Sequence, residues 1–156
     1  MFDQILPQHI DNTYRGHKAA LWVFGVIVFM KTAMSLNSIF NGRSVATSAD
    51  GIPLDSFTPA GAQAVVTLFA IWGLAQLVIC ALSIVVLVRY RAMVPLMLSL
   101  LLLEHVARRV IVWVMPIART GTPPGLAVNL VLLALMAAGL ALSLRTGGGA
   151  QTTASS

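Results

Sequence analysis

Six residues whose types could do chemistry lie where the chain is otherwise apolar. Glu104, His105, Arg108 and Arg109 interrupt the run Leu96–Pro116, LMLSLLLLEHVARRVIVWVMP. Lys31 interrupts a second run and Gln76 a third. A carboxylate, an imidazole, an amide and three cations could pair with one another, bind an anion or relay a proton. Ionisable groups inside bilayer-compatible segments are rare, and they face a protein interior or a wet cavity. The elements around these residues must therefore give them partners.

The composition says what those elements are. Of 156 residues, 58% are hydrophobic and only 10% charged, against about 25% charged in soluble domains. The mean hydropathy of +0.87 agrees with an integral membrane protein. The net charge of +5 comes from basic residues placed singly or in pairs beside apolar runs. That is the pattern of membrane-flanking charge, and no nucleic-acid partner is expected. The single cysteine, Cys80, lies within an apolar run, so it reads as a small buried hydrophobe and forms no intramolecular disulfide.

Four apolar runs of spanning length follow: about 19–40, 60–88, 92–116 and 124–144. The first is read as a retained helix, not a signal peptide: it continues past Lys31, and no small-x-small cleavage site follows closely. Asn41-Gly42 and Asp50-Gly51 mark turns in the longest loop, 41–58, whose Ile52, Leu54 and Phe57 could dip back toward the membrane. Thr58-Pro59 and Thr122-Pro123 each read as a capping residue followed by a helix-starting proline. Asp50 and Asp55 read as solvated turn residues, and Trp72 as packing.

Residues 1–18 form a cytoplasmic N-terminal segment, and the Gly-, Thr- and Ser-rich residues 146–156 a disordered cytoplasmic tail. Arg15, Lys18, Arg89, Arg91 and Arg145 flank one side; Arg43 and Arg119 flank the other. The positive-inside rule puts both termini in the cytoplasm of a bacterial-type inner membrane, with loop 41–58 outside. Short connections predict an all-α membrane protein built as an antiparallel up-down-up-down four-transmembrane-helix bundle.

Depth counting brings the six residues together. Lys31, Gln76 and Glu104 each lie 12 residues from the cytoplasmic end of their run, roughly 18 Å at about 1.5 Å per residue. A Lys31–Glu104 pair is expected, with Gln76 adding a hydrogen bond. Glu104 also precedes Arg108 by four, the favourable spacing for a helix-surface pair. Asn37 and Asn129, nearer the outer side, are candidate partners for Arg108 and Arg109, and Arg109 could reach toward the outer interface.

This layer either fixes helix register or lines a polar pocket open to the outer leaflet. Such a pocket would bind an anionic or quinone-like small molecule or relay protons. No metal or haem is expected, because His105 has no second histidine at its depth. No nucleotide-binding loop, nucleophile elbow or zinc motif is present. The reading is therefore a non-enzymatic accessory subunit or small-ligand binder without a cofactor. Its partners would be the bilayer, a protein partner or a second copy of the chain. A small proton-coupled transporter is the alternative.

The first run, with Gly25–Lys31 reading GVIVFMK, followed by a turn-rich outer loop and three further helices, resembles small four-helix DoxX-like membrane proteins. That resemblance implies a four-span bundle and a redox-linked or quinone-associated role.

Overall fold

The computed structural model describes Ile5, Asn12, Tyr14 and residues 16–145. The expectations for most of segment 1–18 and for the tail 146–156 lie outside these residues. Among the described residues the chain is helical, without strands, and four helices carry most of it. They are α1 (Ala19–Phe40), α2 (Pro59–Arg89), α3 (Val94–Val114) and α4 (Pro124–Leu144). Helices α1, α2 and α4 are long and apolar enough to cross a membrane. Helix α3 has 21 residues but carries Glu104, Arg108 and Arg109.

Local sequence explains the helix ends. Thr58 has extended backbone angles, and its Oγ1 accepts from the Gly61 amide at 3.2 Å, with Pro59 opening α2. Thr122 does not repeat this: α4 begins at Pro124 with Pro123 as the flanking residue and no side-chain cap. Proline at both positions removes amides that would have needed a cap. A 3-10 turn, Arg91–Met93, joins α2 to α3, which starts two residues later than the sequence suggests and ends at Val114. At 31 residues α2 is about 46 Å long, well beyond a hydrocarbon core of about 30 Å.

Helix α1 packs most extensively on α2 and also on α4, and α3 packs on α4; α2 and α3 touch sparingly. The α1–α2 crossing is close because Gly73 lacks a side chain. A Cβ there would lie 2.9 Å from the Ser35 carbonyl oxygen and 3.0 Å from Ser38 Cβ.

Two apolar cores result. The larger joins Phe24, Ile27 and Val28 to Val86, Leu98, Leu101, Leu132 and Met136. The smaller joins Ala46, Ile52, Leu54 and Ala62 beneath the 41–58 connection. Ile52 and Leu54 thus turn inward, whereas Phe57 stays exposed. Cys80 is buried, as a small hydrophobe would be. Large apolar side chains cover the outside, with Trp22 and Trp113 each more than 80% exposed. An outer surface so rich in apolar side chains suits lipid better than water.

The 41–58 connection is itself built. A single helical turn, Gly42–Ser44, runs into a π-helix, Val45–Ala49. Gly51 then adopts φ +70°, a conformation glycine reaches without strain. Its carbonyl accepts from both the amide (2.8 Å) and the hydroxyl (3.1 Å) of Thr120. This ties the connection to the α3–α4 loop and places Asp50 over the end of the helices.

Candidate functional site

The polar residues lie between the two cores. Lys31 Nζ donates to Glu104 Oε2 at 3.0 Å, and the lysine side chain is almost fully enclosed. The other carboxylate oxygen, Oε1, lies 3.5 Å from Arg108 Nη2. One carboxylate therefore serves two cations, one from α1 and one from the next turn of its own helix.

Arg108 is held on three sides. Besides Glu104, its Nη2 donates to His105 Nδ1 at 3.3 Å, and its guanidinium carbon stands 4.7 Å from the Trp72 ring centroid. The Trp72 face attracts the cation through its quadrupole. A guanidinium can only donate, so His105 Nδ1 accepts. Its Nε2 then carries the proton and donates to the Asn129 carbonyl at 3.0 Å. This fixes the tautomer of a buried imidazole and ties α3 to α4.

Two cavities adjoin this cluster. The outer one, about 310 Å³, lies among α2, α3, α4 and the two loops at that end. Leu68, Phe69, Val112, Ile117 and Leu126 give it apolar walls, while Arg108, Arg109, Arg119, Asp50 and Asn129 supply polar groups. The inner one, about 20 Å³, is bounded by Lys31, Ser38, Gly73, Gln76 and Leu132. Trp72, Arg108 and Asn129 line both.

The sequence-selected residues divide accordingly. Lys31, Glu104, His105 and Arg108 form one connected network, and the Asn129 carbonyl joins it. Gln76 shares the inner cavity with Lys31 but gives Glu104 no hydrogen bond: its Nε2 is buried without a partner. Arg109 lines the outer cavity. Asn37 is exposed and accepts from Asn41 Nδ2 at 2.9 Å, so it is no partner for the guanidinium groups. Its place one turn before the end of α1 puts that amide within reach instead.

Sequence reasoning passed over Asp50, Trp72 and Arg119 as site residues. Trp72 was legible only as a mid-run aromatic, and the other two only as loop charges. Asp55 does pair on the surface, with Arg43 at 3.3 Å. Asp50 instead faces the cavity, and burial pushes its carboxyl above the usual range, opposed by Arg119 and Arg108. Arg109 and Arg119 make no ion pair or side-chain hydrogen bond among the described residues. Among those residues no three His, Cys, Asp or Glu side chains converge as metal ligands would. Arg108, Arg109 and Arg119 give this half-open cavity a cationic lining, with Asp50 the one carboxylate among the residues that line it.

No family model, curated protein or solved structure matches the chain.

Proposed function

We propose that the chain is an integral membrane protein that binds a small anionic ligand with an apolar body in the outer cavity. In this reading all four long helices span, as an antiparallel up-down-up-down bundle. Both termini lie in the cytoplasm of a bacterial-type inner membrane, and loop 41–58 lies outside. Helix α3 enters despite its charges because His105 is buried, Glu104 is paired with Lys31, and Arg108 stacks on Trp72.

The observation that carries the reading is the uncompensated charge. Lys31, Arg108 and Arg109 supply three positive charges at this level, and Glu104 one negative. Asp50 and Arg119 cancel at the loop end of the cavity. Unpaired charge away from water is costly. An anion beside half-buried Arg109 relieves that cost, with exposed Arg119 at the loop end of the cavity able to join the contact, and the apolar walls accommodate a hydrocarbon portion. A neutral quinone would leave the excess positive charge of Lys31, Arg108 and Arg109 over Glu104 uncompensated, so the charge balance supports an anion over the quinone-type alternative. Nothing in this reading requires a reaction to be catalysed.

Binding of radiolabelled decanoate to protein in lipid nanodiscs, with empty nanodiscs subtracted, tests the proposal. Saturable binding that decanol does not displace is expected. Arg109→Gln with Arg119→Gln should weaken it at least about tenfold, the loss of one charge-assisted contact or more. Decanoate that binds wild type and the double variant equally would overturn it.

A second reading, a proton-coupled carrier for the same anion, rests on the contact of this cavity with His105 and with Arg108, through which it meets Glu104. Proteoliposomes separate the two. Uptake of decanoate driven by a pH gradient and lost in Glu104→Gln would make the protein a carrier; binding without uptake would make it a binder.

A further inference from the structure

The inner cavity, which shares Trp72, Arg108 and Asn129 with the outer one, is a chamber of about 20 Å³. Such a volume accommodates one water-sized particle. Its lining is rich in donors. Lys31 Nζ has three N–H groups, and its ion pair is with Glu104 alone. Gln76 is 6% exposed, lines the chamber, and has its Nε2 buried without a partner. Arg108 also lines the chamber, its Nη2 engaged by Glu104 and His105. Ser35 is not a free donor, since its hydroxyl donates to the Lys31 carbonyl at 2.7 Å.

An occupant of this chamber must therefore accept several hydrogen bonds while offering few. Water accepts about two and must donate about two. An acceptor-only particle fits the lining better, and the two cations beside one carboxylate favour negative charge on it. The chamber is too small for a carboxylate or phosphate with its substituents. We infer that the inner chamber is a site for a single halide ion, chloride by size and charge, held by Lys31, the Gln76 amide and Arg108. The inference is independent of the ligand proposed for the outer cavity, because it rests on the orphaned Gln76 amide and a different volume.

The test uses the full chain purified in detergent and melted in sodium chloride or sodium gluconate at equal ionic strength, gluconate being too large to enter. Wild type should gain at least about 3 °C between about 1 mM and about 100 mM chloride, by mass action on the folded state, and gain nothing from gluconate. Gln76→Leu should lose the chloride response. Arg109→Gln with Arg119→Gln, which alters only the outer cavity, should keep it. Should Gln76→Leu fail to fold, anomalous diffraction from wild-type crystals grown in sodium bromide decides instead. A bromide peak within hydrogen-bond distance of Lys31 Nζ and Gln76 Nε2 supports the site. Equal melting in chloride and gluconate, a chloride response abolished by the Arg109/Arg119 double variant, or a chamber holding water alone in bromide would overturn it. None of these outcomes bears on decanoate binding, so failure here is distinguishable from failure of the outer-cavity reading.

Discussion

Lys31 Nζ lies 3.0 Å from Glu104 Oε2, although 73 residues separate them in the chain. The contact joins α1 to α3, two helices that otherwise touch little, across the space between the two apolar cores. Because Glu104 also faces Arg108, the three residues are an unequal triad of two cations on one anion.

That inequality orders the cost of removing each member. Glu104→Gln leaves buried Lys31 and part-buried Arg108 without their carboxylate and should be the most damaging. Lys31→Met leaves Glu104 with Arg108 and should fall toward the lower end of the about 3–5 kcal/mol expected for breaking a buried pair. Lys31→Met combined with Glu104→Gln should recover part of the loss. Unfolding free energies from detergent titration of the four proteins give the coupling directly. Strict additivity would show that the pair is not energetically linked.

The stack of Arg108 on Trp72 makes a milder prediction. Trp72→Phe keeps an aromatic face and should lose about 0.5–1 kcal/mol, whereas Trp72→Leu should lose more, up to about 2 kcal/mol plus the ring's packing. The same unfolding titration reads both. Equal losses would mean that the ring acts only as apolar volume.

Two glycines at helix positions should behave oppositely. At Gly73 an added Cβ meets the Ser35 backbone oxygen at 2.9 Å, so Gly73→Ala must push α1 and α2 apart and should cost about 1–3 kcal/mol. At Gly25 the nearest atom is Leu87 Cδ2 at 3.7 Å, an ordinary contact. Gly25→Ala should be neutral or stabilise by up to about 1 kcal/mol through helix propensity. Thermal melting of the two variants side by side checks the contrast.

Asp50 gives the outer cavity a pH dependence. Burial raises its carboxyl pKa, with Arg119 and then Arg108 opposing. A carboxyl raised in the folded state contributes stability that is complete below the unfolded carboxylate range and lost as pH rises through the folded value. Asp50→Asn should therefore be at least as stable as wild type at neutral pH and should flatten the acid limb of the stability curve. Protonating Asp50 also leaves Arg119 and Arg108 uncancelled, so decanesulfonate, which stays ionised, should bind more tightly as pH falls through the same range. Wild-type affinity unaffected by acid would count against the role of Asp50.

Much of this protein was written in its local sequence. Four long apolar runs gave four long helices because each run satisfies its own backbone hydrogen bonds, whatever surrounds it. Thr58-Pro59 acts within a turn of itself, so the helix start it marks was legible. The level shared by Lys31, Gln76 and Glu104 was also legible, because rise per residue is fixed. Level, however, does not determine which way a side chain turns. Gln76 and Glu104 share a depth, yet the amide faces the inner chamber without meeting the carboxylate. Asn37 has the right depth for Arg108 and turns outward to Asn41. The outer cavity was least legible of all. It exists because α2 and α3 diverge and because the Gly51 carbonyl holds Thr120, folding Asp50 and Arg119 over the helix ends. The sequence by itself determined which residues would be too polar for their surroundings. Only the tertiary structure decided which partners each would meet, because helix rotation, crossing distance and loop closure depend on contacts between residues far apart in the chain.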